Sequence, residues 1–215
     1  MDRTVIVARP FCYRSPRMVD ARRKLIRQLQ GACSGELAAG YAYRGHWKSV
    51  RDPMERERIR TIEAEEWHHR ELVQGLLREL GAKANPLREA IFWLIGRILG
   101  ATCSLSGWFL PMWGAGRLER GNIVEYEVAA VYAAECGRHD MIECLLAMAE
   151  VEWEHELFFR ERILGHRWLR FWKLWRVPPP KASIRESAAR LFDRDQLQLE
   201  GEVLAGERVV RVERH

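Results

Sequence analysis

This chain of 215 residues has no C-x-x-C pair, no G-x-G-x-x-G string and almost no alternating apolar pattern. Its five cysteines, Cys12, Cys33, Cys103, Cys136 and Cys144, are odd in number and widely spaced. That excludes a zinc ribbon or a disulfide framework and fits a reducing cytoplasm. Without the glycine fingerprint, a built-in dinucleotide-binding domain is excluded. Alternation is confined to the end, near Val209-Val210-Arg211-Val212, so a sheet-rich fold is excluded too. The first residues lack the apolar core of a secretory signal. The formal net charge is +5, which fits an anionic membrane surface or nucleic acid without choosing between them.

What is present is helical periodicity. Residues 1–16 read as an irregular arm with breakers at Pro10 and Pro16, residues 17–165 as one bundle, and 166–215 as a basic, aromatic segment, a proline linker and a tail. The first helix is expected from about Val19 to Val50, with the stripe Ile26, Leu29, Cys33, Glu36, Gly40, Tyr43, Trp47, Val50. The second runs from about Pro53 to Leu80, with Ile59, Ile62, Glu66, His69, Val73, Leu76 and Leu80 on one face. Pro suits its first turn and Gly81 its stop. A third, carrying Glu125 and Tyr132, is expected from about Leu118 to Cys136. A fourth, from about His139 to Leu164, carries Met141, Leu145, Met148, Glu152, His155, Phe159 and Ile163. Between the second and third lies a long apolar crossover, in which residues 91–113 hold Arg97 as their only charge.

The string E-W-x-H occurs twice, at Glu66-Trp67-His68-His69 and Glu152-Trp153-Glu154-His155. Residues three apart share a helix face, so each string aims a carboxylate and an imidazole the same way. Glu65 and His68 have the same spacing, but their stripe (Arg58, Thr61, Leu72, Gly75, Glu79) is a solvated face. The stripe through Glu66 and His69 is otherwise apolar, and an unpartnered carboxylate there would be very costly. The same reasoning prefers Glu152 and His155 over Glu150 and Glu154. Two such pairs, each following a helix with one inward Glu, are the ligand set of a di-iron or di-manganese carboxylate bundle.

Heights along the helices select the remaining two ligands. Glu36 and Glu66 lie equally far from the turn near Arg51. Glu125 lies about as far before the turn at Gly137-Arg138 as Glu152 lies after it, with Glu127 its closest rival. Tyr43 follows Glu36 by seven residues and Tyr132 follows Glu125 by seven, as in a duplicated hairpin. The expected metal ligands are therefore Glu36, Glu66, His69, Glu125, Glu152 and His155. Glu66 and Glu152 would bridge two metals, Glu36 and His69 completing one and Glu125 and His155 the other. Tyr43 and Tyr132 would hydrogen-bond to ligands and orient them, or simply pack in the core. A carboxylate and imidazole set without thiolate suits iron, with manganese the alternative.

These residues resemble the ferritin-like superfamily, and within it the demethoxyubiquinone hydroxylase family of ubiquinone biosynthesis. The resemblance covers about residues 30–165. It rests on the six-ligand pattern, on Ser34-Gly35-Glu36-Leu37-Ala38-Ala39 leading to Tyr43-Arg44-Gly45-His46, and on Val124-Glu125. His46 stands where that family has Gln, Ala38 where it has Gly, and the tail after Leu164 is not part of its pattern. The resemblance implies a ferritin-like four-helix bundle and a di-iron monooxygenase. Such an enzyme activates O2 to hydroxylate a quinol or another apolar aromatic ring, with electrons from an external donor or from the quinol itself. The competing readings are a ferroxidase or peroxide-scavenging protein, and a non-catalytic membrane-associated di-metal subunit.

A quinone lives in the bilayer, and two segments offer contact with its surface. Residues 91–113 read as a crossover helix with a lipid-facing side rather than a span, given Arg97 and Pro111. Residues 166–176 interleave Arg167, Arg170, Lys173 and Arg176 with Trp168, Phe171, Trp172 and Trp175, which suits the headgroup layer. The same segment would also suit a packed helix end or a homodimer contact. These readings place the chain at the cytoplasmic, inner face of a membrane. Stacking of nucleic-acid bases on that segment is disfavoured.

Overall fold

The computed structural model describes residues 16–186 together with Ala189. The expected irregular arm before Pro16 and the alternating end near Val209 lie outside the described residues. Among those described, the chain is all-α: α1 (Pro16–Ser49), α2 (Pro53–Glu79), α3 (Pro86–Cys103), α4 (Phe109–Glu135) and α5 (Ile142–Ile163), with 3-10 turns at His139–Met141 and Arg167–Arg170.

Local chemistry sets these boundaries. Asp52 caps α2, its side chain accepting from the Glu55 amide at 2.9 Å, with Pro53 next in the first turn. Asn85 caps α3 in the same way, accepting from the Leu87 and Arg88 amides, again ahead of a proline. Gly81 and Gly137 end α2 and α4 at positive φ, where a side chain would be strained. The apolar stretch expected as one crossover breaks at residues 104–108, and α4 starts at Phe109 instead of near Leu118. Pro111 lies in the first turn of α4, where its missing N–H leaves no bond unmade.

The helices α1, α2, α4 and α5 surround two apolar clusters. One is built on Leu25, Leu29, Val73, Leu77, Ile123, Leu145 and Met148. The other is built on Val50, Ile59, Ile62, Met112, Phe159 and Ile163. Between them, on all four helices, lies a buried polar layer: Glu36, Glu66, His69, Glu119, Glu152 and His155.

Helix α3 lies outside this bundle against α1, on a seam of backbone contacts. A Cβ on Gly96 would come within 2.4 Å of the Ala38 carbonyl oxygen, and one on Gly45 within 2.1 Å of the Gly100 carbonyl oxygen. Only glycine permits that approach. The opposite side of α3 presents Leu87, Ile91, Leu94 and Ile98 to the exterior, each at least half exposed. No helix among the described residues is long and apolar enough to cross a membrane.

After α5 the chain turns back as a strap. Trp175 Nε1 donates to Glu156 at 2.5 Å, and Glu156 is also paired with Arg160. Trp113 Nε1 donates to the Lys173 carbonyl at 3.2 Å, and His166 stacks on Phe109 with centroids 4.5 Å apart. One side of the 166–176 segment is therefore packed on α4 and α5. Its other side leaves Trp168, Phe171 and Trp172 exposed. Further along, Ile184 is buried in the first apolar cluster, and Arg185 pairs with Glu143 and Glu150.

Candidate metal centre

The polar layer groups into two overlapping sets. Glu36, Glu66, His69 and Glu152 form one; Glu66, Glu119, Glu152 and His155 form the other. In each set the donor atoms lie within 4.8 Å of one another. Glu66 and Glu152 belong to both, as residues shared between two ion positions would.

The structure thus brings together Glu36, Glu66, His69, Glu152 and His155 of the six residues expected from sequence. It does not bring in Glu125, or its rival Glu127. Glu119, six positions earlier on α4, holds that place. The reason is the face of the helix. The buried stripe of α4 runs Met112, Ala115, Glu119, Ile123, Tyr126, Ala130, Ala133, and Glu125 lies about 100° from Tyr126 on the exposed side. With α4 expected to begin near Leu118, Glu119 falls in its first turn, well away from the height matched to Glu152.

The tyrosines shift by the same six positions. Tyr43 donates to Glu119 Oε1, whereas Tyr132 is half-buried beside Lys24, 5.9 Å from its ring centroid. Tyr126 takes the role foreseen for Tyr132 and donates to Glu36 Oε1. Each tyrosine therefore crosses to the other hairpin and binds the carboxylate that its twin follows by seven residues. The Glu…Tyr echo was the usable signal, and α4 carries it twice, as 119/126 and 125/132. Two further contacts had no such signal. Asn122 Nδ2 donates to Glu119 Oε2 at 2.9 Å, and Glu65 Oε2 lies 2.7 Å from His155 Nε2.

Electrostatics mark the layer as incomplete by itself. Burial, reinforced by the neighbouring carboxylates, pushes the Glu66 and Glu119 carboxyls well above the usual range; burial raises Glu36 too. Against the same burial, hydrogen bonds to His155 and His69 hold Glu152 below it. Burial also opposes charge on the imidazoles, but their carboxylate partners raise both, His155 strongly. Glu36 Oε2, both Glu66 oxygens, Glu152 Oε2 and His155 Nδ1 are buried without a hydrogen-bond partner. His155 Nδ1 lies 3.2 Å from Glu66 Oε1 and 3.5 Å from Glu152 Oε2, bonded to neither. Orphaned buried polar atoms are rare and costly. Five in one place, all aimed at common points, fit a pair of cations. Four carboxylates and two neutral imidazoles would balance two divalent ions.

A cavity of about 670 Å³ between α1, α3 and α4 reaches this layer. Glu36, Glu119, Tyr43 and Tyr126 line its inner end, and Ala39, Phe92, Ile95 and Leu110 its walls. Leu99 and Leu118, also in the lining, are exposed, so the cavity meets the surface beside α3. Its size and apolar lining suit a small organic ligand.

The site is a buried carboxylate–histidine cluster at the floor of an apolar cavity in a helical bundle. Two curated relatives, the 3-demethoxyubiquinol 3-hydroxylases of Bordetella parapertussis and Bordetella bronchiseptica, are each 34% identical to the chain over 106 residues. The match covers 46% of this chain and 47% of each relative, so the chain spans about half the length of the curated relatives it matches. No family model matches the chain, and no solved structure matches it with significance.

Proposed function

We propose that this protein is a ferritin-like di-iron monooxygenase that hydroxylates a quinol-type or similar apolar aromatic ring. The observation that carries this reading is the set of orphaned ligand atoms at the floor of an apolar cavity. The names of the two relatives support it. Glu36 and His69 would complete one iron position and Glu119 and His155 the other, with Glu66 and Glu152 shared. Iron bound there would supply the capacity to activate O2. The chain supplies the rest. Tyr43 and Tyr126 hold Glu119 and Glu36 in place through their hydroxyls. The two apolar clusters keep water from the layer on both sides. The alanine-rich face of α1 and the side chains of α3 leave room for a flat ring beside Glu36 and Glu119. Two electrons per turnover come from an external reductant or from the quinol.

The same reading places the protein on a membrane surface. The outer stripe of α3 and the exposed Trp168, Phe171 and Trp172, flanked by Arg167, Arg170 and Lys173, form apolar and basic surface on which a bilayer would supply a partner. Trp108 and Phe109, at the start of α4, pack against His166 and link the two segments. A ring entering beside α3 would pass from lipid to the cavity without crossing water. The inner, cytoplasmic face is the expected side.

The test is metal analysis of protein purified without oxygen, followed by a single-turnover assay with a short-chain demethoxyquinol and O2. About two irons per chain and product carrying one atom from labelled O2 support the reading. Two irons that oxidise with no ring hydroxylation move it to a ferroxidase. Absence of iron uptake overturns it.

A further inference from the structure

The repeat that builds the site is broken at one functional position. In each half, an imidazole Nδ1 faces the shared carboxylate of the other half: His155 Nδ1 lies 3.2 Å from Glu66 and His69 Nδ1 2.9 Å from Glu152. The residue before Glu66 is Glu65, and it lies 2.7 Å from His155 Nε2. The residue before Glu152 is Val151, which offers His69 no carboxylate. A second departure falls on the same side. Glu119, the other terminal residue of the His155 position, is held by Asn122 as well as Tyr43. Three residues after Glu36, where Asn122 would have its counterpart, stands Ala39.

We infer that Glu65 is the positioning residue for His155, and that it makes the two metal positions unequal, the one at His155 and Glu119 being the tighter. The inference rests on the di-metal reading above. A neutral imidazole carries one donor and one acceptor nitrogen. A carboxylate can only accept, and Arg58 Nη1 lies 3.0 Å from the same Glu65 oxygen on its solvent side. A neutral His155 facing it therefore carries its proton on Nε2 and donates to Glu65. Nδ1, wholly buried and unpartnered, is then the nitrogen left to offer its lone pair to an ion in the cluster. A carboxylate behind a ligating imidazole sets its orientation and strengthens it as a donor, worth about 10–100-fold in metal affinity where such partners have been removed. Glu65 is about one-third exposed, reached from solvent past Arg58.

The experiment is an anaerobic cobalt(II) titration of the full chain, stripped of metal with a chelator and read by absorption and chelator competition. The wild-type protein takes up two cobalt ions in two distinguishable steps. Glu65→Ala weakens the tighter step by about 10–100-fold and leaves the other step unchanged. Glu65→Gln, which keeps an acceptor without the charge, gives a smaller loss at the same step. Arg58→Ala leaves both steps nearly intact. In the cobalt-loaded wild type, proton NMR shows a shifted imidazole N–H protected from solvent exchange, and Glu65→Ala loses that protection. Wild-type affinity at both steps in Glu65→Ala overturns the inference and leaves the metal reading standing. So does an equal loss in Arg58→Ala, because the surface ion pair would then be what matters. A wild-type chain that binds no cobalt overturns the metal reading itself.

Discussion

Acid should loosen this protein through a histidine that binds no metal. His46 is 3% exposed, and its Nε2 has no partner. Its ring packs against both Tyr43, at 6.2 Å, and Phe159, at 5.9 Å, which also face each other at 5.8 Å. Burial alone pushes it down to about 4 from an ordinary 6.5. The sign follows directly. Below the ordinary value the unfolded chain takes up a proton that the folded chain refuses, so stability falls as pH drops below about 6.5 and levels out only below about 4. The full separation is worth roughly 3 kcal/mol, of which about 2 kcal/mol is already lost at about pH 5. The assay is urea unfolding of metal-free protein, wild type and His46→Phe, at about pH 7.5 and about pH 5. Phe keeps the stack and cannot titrate, and the remaining ionisable groups are common to both proteins. Between the two pH values His46→Phe should lose about 2 kcal/mol less than wild type. Equal losses would refute the reasoning and show that His46 meets water in the folded state. The position also bears on function, since His46 lines the cavity. An imidazole held neutral keeps that wall uncharged beside an apolar ring.

The register of α4 gives a second prediction: Glu119→Gln should lower bound iron from about two per chain to about one, while Glu125→Gln should leave it unchanged, by metal analysis after anaerobic loading. The reverse result would restore the assignment read from helix heights. The seam of α3 gives a third. Gly45→Ala drives a Cβ into the Gly100 backbone, and with no side chain to yield it should cost at least about 1–3 kcal/mol in urea unfolding. Gly35→Ala, on the same helix with nothing within 4 Å of the new Cβ, should be neutral or stabilise by up to about 1 kcal/mol.

Most of the bundle was legible because its stripes are long and its stops are explicit. Glu66 and His69 could be chosen over Glu65 and His68 from the apolar company they keep, and the described structure buries the first pair. The third bundle helix failed for an identifiable reason. Its first turns are so apolar that they merged with α3, hiding both the break at residues 104–108 and the start at Phe109. Once that start is lost, height along the hairpin becomes the only ruler. Height is a poor one here, because it accumulates every irregularity of the turn between the helices, the 3-10 stretch at His139–Met141 among them, and does not say which face a residue occupies. The stripe through Met112, Ala115, Glu119 and Ile123 would have overruled it. Periodicity reports a face directly, whereas height depends on every turn between. Glu65 was out of reach of both. Its stripe is solvated, as the pattern says, and its contact with His155 depends on how α2 and α5 stand across the polar layer.

That layer explains why the fold tolerates so costly a site. Each of the four helices crosses it once, and each is anchored by apolar residues on both sides: Leu29 and Tyr43 on α1, Ile62 and Val73 on α2, Met112 and Ile123 on α4, Met148 and Phe159 on α5. Sliding any one helix by a turn would move its carboxylate into an apolar cluster and bring a hydrocarbon side chain opposite charged groups, a penalty of several kcal/mol. The buried carboxylates therefore fix the register of the bundle while the two clusters supply its stability. Helix α3 stands outside this arrangement and makes no contribution to the layer. Its glycine seam brings it against α1 at backbone distance, so its inner side needs few side chains, and those remaining are free to face the cavity or the exterior. A helix built that way is thin where the proposed substrate would pass and apolar where the proposed membrane surface would lie.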